Sequence, residues 1–227
     1  SGIEIGADNL FVHMTGMSDA AWEKVAQAGA KVSIAFPIEM NMRHGQPPIL
    51  KMQSFGSPAF EPSLSTDVET NMTADFFTQM RSAMTMQRMV VNQAVLDSGP
   101  IPVNPWPPFP ANLPPLLNAR DVLRYATING AKHLRLDGKT GSLTPGKEAD
   151  IIILDAMHLN VFPVNNVPGA VVTMMERSNV ETVIVAGKVR KWKGKLLDVN
   201  LSRLRRELEA SRDFLYTASG HTQNLFP

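Results

Sequence analysis

The sequence predicts an α/β fold organised around a parallel sheet or barrel, followed by a smaller β unit and a terminal helix. Three observations carry that prediction. Short apolar runs alternate with a helical pattern from Asn9 to Phe36, and a third apolar run at Pro62–Thr66 precedes a long stretch of helical periodicity. From Gly141 onward the period changes to short runs bounded by turn residues.

Taken in order, Asn9–His13 (NLFVH) reads as a strand, and Ser18–Ala28 (SDAAWEKVAQA) as a helix with Ser18 as its N-cap and Gly29 as its stop. Lys31–Phe36 (KVSIAF) is the next strand, completing a β-α-β unit. Phe36–Pro58 is a Gly-, Pro- and Met-rich excursion, read as loop. After the third strand, a helix is predicted over Thr73–Leu96, with Phe76, Phe77, Met80, Ala83, Met84 and Val91 at helical spacing.

Pro100–Pro115 carries eight of the 17 prolines, which excludes helix and central strand and leaves a stiff connector lying across the surface. Asn118, with Asp121 three residues on, opens a helix running through Leu123, Ala126, Ile128 and Ala131 to Leu134. Asn129-Gly130 is expected to break it in two. Pro145-Gly146 fits a type II turn, ahead of a buried strand at Ile151–Leu154. Glu181–Lys195 reads as a hairpin turning at Ala186-Gly187, with Val183 and Val185 on one face. Its Arg190, Lys191, Lys193 and Lys195 interleave with a single aromatic, Trp192, which favours a solvated face over a nucleic-acid patch. Leu201, Leu204, Leu208 and Leu215 lie on or near one stripe of a terminal amphipathic helix, expected to pack on its own domain in preference to forming an oligomer.

Composition limits the functions open to such a chain. With 227 residues, 44% of them hydrophobic, it holds one sizeable domain or one domain plus an appendage. Lys plus Arg at 22 against Asp plus Glu at 21 gives a net charge of +1, so no global field recruits nucleic acid or a membrane. No window approaches the roughly 18 apolar residues of a membrane span, and Ser1–Leu10 lacks the pattern of a secretory signal. Zero cysteines exclude disulfides and thiolate metal sites and fit a cytoplasmic protein. A metal would need His, Asp or Glu.

Three residues are candidates for chemistry. His13 ends the first strand and Asp67 follows the third, both at the C-terminal rim where barrel and doubly wound enzymes keep their sites. His44 lies in the loop after the middle strand, near the same rim. Each also has a plain structural use: a satisfied histidine, a turn cap, a solvated loop. Spacing alone leaves these alternatives level.

The order of motifs adds weight. FVHMTGMSD (Phe11–Asp19), EMNMRHG (Glu39–Gly45), LSTDVETNMTADFFTQMR (Leu64–Arg81), RDVLRYATINGAKHLRL (Arg120–Leu136), GSLTPGKEADIIILD (Gly141–Asp155) and VETVIVAGKVRKWKGKLL (Val180–Leu197) together span most of the chain. In that order they resemble the last third of the amidohydrolase superfamily, in the clade of chlorotriazine hydrolases, S-adenosylhomocysteine and methylthioadenosine deaminases, and cytosine or guanine deaminases. The run from Ala126 to Asp155 is the most specific.

The resemblance implies the last three strands of a (β/α)8 TIM-type barrel over 1–136, a β-sandwich portion over 137–198, and a C-terminal helix and tail over 199–227. It implies one divalent metal, zinc or iron, in the complete enzyme. Asp67 matches the eighth-strand aspartate that ligates this metal and accepts a proton from the attacking water. His13 matches the sixth-strand histidine that orients the hydroxide or the leaving group, and His44 and Glu39 fall in the loop that shapes substrate specificity. The implied reaction is hydrolysis of a carbon–nitrogen or carbon–chlorine bond of a small aminated heterocycle, without nucleic-acid or membrane partners. The sequence departs from the family pattern in lacking the His-x-His pair and the fifth-strand histidine; none of its five histidines lie two apart. The expectation is therefore the C-terminal part of an enzyme, inactive and metal-free alone, completed by an N-terminal part of the same protein or within a homo-oligomer. The competing expectation is a non-catalytic remnant or scaffold protein.

Overall fold

A computed structural model describes residues 4–56, 60–99 and 112–224. The chain opens with β1 (Leu10–Val12), α1 (Asp19–Gln27) and β2 (Lys31–Ile34), followed by two short helices, α2 (Phe36–Asn41) and α3 (Ile49–Gln53). β3 (Ser63–Leu64) leads to the long helix α4 (Phe76–Asp97), then α5 (Ala119–Ala126) and α6 (Ile128–His133). β4 (Ile151–Leu154), α7 (Val167–Thr173), β5 (Val180–Val185), β6 (Lys188–Trp192), β7 (Lys195–Leu196) and α8 (Leu201–Ser219) complete it. β1, β2 and β3 form a parallel sheet in chain order, with Val12 opposite Ser33 and Ile34 opposite Leu64. β4 to β7 form a separate antiparallel sheet.

Local signals account for most boundaries. Ser18 caps α1 by accepting from the Ala21 N–H, and Gly29, at φ +68°, reverses the chain in a conformation that disfavours a Cβ. Asn118 and Asp121 form a reciprocal capping box. At Thr144–Lys147 the Lys147 N–H donates to the Thr144 carbonyl, with Gly146 at φ +91°, as a type II turn requires. Ala186 and Gly187 both take positive φ, giving the twisted turn that matches a hairpin.

Several expectations are corrected. The strand begun at Lys31 ends at Ile34, because Pro37 near the helix start and Glu39 in its first turn favour α2 from Phe36. The excursion 36–58 is thus partly helical. The long helix starts at Phe76, capped by Asp75, and turns Phe76 outward while Phe77, Met80, Ala83 and Met84 face the core. The break between α5 and α6 falls at Thr127, whose ψ of −97° leaves helical space; Asn129 and Gly130 lie inside α6. β4 is a strand but not a buried one, since Ile152 is 55% exposed. Positive φ at Lys193 and Gly194 adds a second turn and the extra strand β7. No residue of α8 is buried among the described residues, so its leucine stripe is left open to solvent. The connector predicted at 100–115 lies outside the described residues except for 112–115.

One buried cluster joins the parallel sheet to the helices around it, with Leu154 of β4 and Val180 of β5 partly buried at its edge. Trp22 and Val25 of α1, Val32 and Ile34 of β2, Phe77 and Met80 of α4, Val122 of α5 and Val172 of α7 belong to one buried cluster. Each large side chain buried there contributes about 1.5–3 kcal/mol of transfer free energy. Arg81 of α4 reinforces the join by donating to the carbonyls of Thr173 and Met175 at the end of α7. Among the described residues no helix is long and apolar enough to cross a membrane.

Candidate active site

β1 and β3 flank β2, and the chain leaves both strands at the same end of the parallel sheet. His13 follows β1 directly. Its N–H still joins the ladder, donating to the Ser33 carbonyl, but its φ of 67° and that of Met14, 56°, turn the backbone sharply. Asp67 follows β3 and also takes positive φ, 53°. Left-handed conformations at three non-glycine residues on one rim carry local strain, held in place by the ladder beneath.

The turns bring the two side chains together over the end of β2. His13 Nε2 lies 3.6 Å from Asp67 Oδ2. On the other side of the ring, His13 Nδ1 is 2.9 Å from Glu39 Oε1. The His44 ring stands edge-on to that of His13, with centroids 5.2 Å apart. Of the four site residues singled out from the sequence, three therefore meet directly around His13: Asp67, Glu39 and His44.

Glu39 differs from the sequence-based expectation in its placement. It lies in α2, fully buried, rather than in a loop. Its Oε1 also accepts the Ala35 N–H at 3.0 Å, while Oε2 is buried without a protein partner. Burial raises the Glu39 pKa above the ordinary carboxylate value, opposed by the Ala35 N–H and by His13. The signal for this placement was present in Phe36-Pro37 and the acid two residues on, a helix-start pattern outweighed by the surrounding Gly, Pro and Met.

A carboxylate–imidazole–carboxylate row has a definite chemical capability. The buried Glu39 carboxylate selects the tautomer with the proton on Nδ1 and fixes the ring plane, leaving Nε2 to face Asp67. Asp67, partly exposed, presents a carboxylate oxygen to that nitrogen at the rim. A cleft of about 510 Å³ opens beside the row, with His13 and His44 on a wall otherwise formed largely by apolar residues including Phe11, Met14 and Met17.

The donor set falls short of a divalent metal site. Among the described residues no three His, Cys, Asp or Glu side chains come together as a metal-holding group. His13 has one ring nitrogen committed to Glu39, and a lone carboxylate does not hold zinc, which takes three or four protein ligands.

Reasoning from the sequence missed a second polar cluster, at the opposite end of the strands. Arg124 of α5 grips Glu61 through Nη2 at 2.7 Å and Nε at 3.1 Å, and Asn129 donates to the Pro62 carbonyl. His133 Nδ1 lies 2.9 Å from Ser63 Oγ. Burial, followed by the nearby Lys31 charge, lowers the His133 pKa to about 4. These contacts fasten α5 and α6 to the start of β3, and no periodicity announces them.

The model of the amidohydrolase family matches residues 3–190. A 5'-deoxyadenosine deaminase of Methanosarcina barkeri is 29% identical over 94% of this chain and 44% of its own length. A 5-methylthioadenosine/S-adenosylhomocysteine deaminase of Desulfitobacterium hafniense is 29% identical over 90% of this chain and 42% of its own. Among solved structures, an adenosine deaminase from Xanthomonas campestris with bound zinc superposes with a TM-score of 0.78 at 24% identity, covering 94% of this chain and 44% of that one. A zinc complex of an atrazine chlorohydrolase from Arthrobacter aurescens gives 0.73 at 18%, covering 91% and 41%. The chain thus spans less than half the length of these relatives.

Proposed function

The chain belongs to the amidohydrolase family, and from that premise we propose that it forms the C-terminal part of a hydrolase acting on a non-peptide carbon–nitrogen bond of a small aminated heterocycle. Deamination is the favoured reaction, dechlorination of a related ring the variant. The observation that carries this reading is the His13 ring held between the Glu39 carboxylate at 2.9 Å and the Asp67 carboxylate at 3.6 Å.

In this reading Asp67 accepts a proton from a water that adds to the ring carbon bearing the amino group. His13 offers Nε2 to the adding oxygen or to the departing nitrogen, and return of the proton expels ammonia, leaving a carbonyl. Glu39 keeps the His13 ring in place, and His44 contacts the substrate at the mouth. A divalent metal, zinc or iron, when bound, supplies an acidified water. Among the described residues Asp67 is the one ligand proposed, and the remaining ligands are proposed to come from residues outside the chain. The zinc in the solved structures of relatives supports such a metal. The protein is proposed to be cytoplasmic.

The test is a turnover screen of aminopurines, aminopyrimidines and triazines with the chain joined to the segment that supplies those ligands. Asp67→Asn, with an unchanged circular dichroism spectrum, is expected to lower kcat by on the order of 100-fold or more. Full turnover by the Asn variant would remove Asp67 from the reaction. No turnover of any ring by the joined protein, with metal bound, would favour the non-catalytic scaffold reading.

A further inference from the structure

Among the described residues, the helix α8 is the longest element that buries no side chain. It is well delimited, capped at its start by Asn200, which accepts the Arg203 N–H, and closed by Gly220 at φ +67°. Its 19 residues bury no side chain. An exposed apolar stripe on a well-capped helix needs a partner, and the sequence of this stripe specifies which kind.

Leu201, Leu208 and Leu215 recur every seven residues, and Leu204, Ser211 and Ala218 recur three residues after each of them. That is the a/d spacing of a two-stranded coiled coil, a repeat that suits a second helix of the same kind better than a flat surface. Leu208 is 61% and Leu215 59% exposed, so the seam is open.

The flanking charges choose the orientation. In this register Glu207 occupies a g position, while Arg205 and Arg212 occupy e positions. In a parallel pair, g faces the e position of the following heptad on the other helix, so Glu207 of each chain meets Arg212 of its copy, twice per dimer. An antiparallel pair would set e against e and bring the arginines together. Within one chain Glu207 is engaged by Arg203 at 2.7 Å and Arg212 by Asp213 at 2.8 Å. Both are exposed surface pairs, which contribute little and exchange readily.

We propose that α8 is a dimerisation helix, pairing parallel and in register with α8 of a second copy of this chain through the Leu201–Leu204–Leu208–Leu215 seam. The seam is short, so the dimer is reversible, and the small Ser211 and Ala218 let the two backbones approach near the C-terminal end. Parallel pairing sets the two protomers side by side at the same end of the helix pair, about a two-fold axis along it.

The absence of cysteine in the chain gives a clean test. In a parallel in-register pair the two copies of residue 211 face each other across the seam, so Ser211→Cys should form a disulfide-linked dimer under mild oxidation. Arg206→Cys, on the outer face, should not. Light scattering over a concentration series should give twice the chain mass for the native protein and the single chain mass for Leu208→Glu. Because Leu208 is exposed, that variant keeps its fold, as circular dichroism checks. Glu207→Arg alone should weaken the dimer, and adding Arg212→Glu should restore it. A native chain that stays monomeric, or a dimer that survives Leu208→Glu and fails to cross-link at position 211, overturns the proposal. The latter result would assign the stripe to another occupant, such as a further segment of the enzyme.

Discussion

At the scale of single residues, the site rests on a buried acid whose role is indirect. Glu39 reaches no solvent and touches His13, so its effect on the reaction passes through the imidazole. Glu39→Gln keeps an acceptor for Nδ1 and for the Ala35 N–H while removing a charge that burial disfavours. Denaturant titration at neutral pH should show stability unchanged or slightly raised, whereas turnover of the joined enzyme should fall on the order of 10- to 100-fold. Loss of both together would mean a merely structural acid. His133 makes a different prediction, for stability against pH. Its folded pKa is lowered from 6.5 to about 4, so the folded state prefers the neutral ring. The stability this contributes is whole above pH 6.5 and declines as pH falls toward 4, because the unfolded chain takes up the proton first. Denaturation midpoints at pH 7, 5.5 and 4.5, set against those of His133→Phe, should show a shallower slope in the variant.

At the scale of elements, legibility followed the range of the interactions. Ser18, Gly29, Asn118, Pro145-Gly146 and Ala186-Gly187 act on their immediate neighbours, and each placed a cap or turn correctly from sequence. The rim positions of His13 and Asp67 were readable from strand ends, and their meeting over β2 followed from the parallel order. What sequence did not disclose depends on distant partners. The helix α2 was obscured by its Gly- and Met-rich surroundings, and beyond the break at Thr127 Asn129 donates to the distant Pro62 carbonyl, a contact no local pattern announces. The outward faces of β4 and α8 were unreadable because apolar residues mark a surface to be covered without saying what covers it. Gly141 supplies a prediction at this level. At φ +86°, a Cβ there would meet the Ala131 Cβ at 2.5 Å and Ile128 of α6 at 3.2 Å. Gly141→Ala should therefore lose about 2 kcal/mol or more in chemical denaturation, from strain and clash together. Asn118→Ala should lose about 1 kcal/mol by removing a cap.

At the scale of the whole molecule, one expected outcome concerns metal. Purified by itself, the chain should carry far less than one equivalent of zinc or iron by elemental analysis, because among the described residues no three His, Asp or Glu side chains come together as a metal-holding group. A full equivalent would mean that a complete donor set exists within these residues. The Arg81 clamp on the end of α7 bears on a separate matter, what happens if the backbone is severed. α7 shares its packing with α4 and α5, so the stretch after residue 137 is tied to the first stretch by more than the peptide link between them. A protease that nicks the chain near 137 should therefore release nothing: the two pieces should travel together through a sizing column and separate only in denaturant.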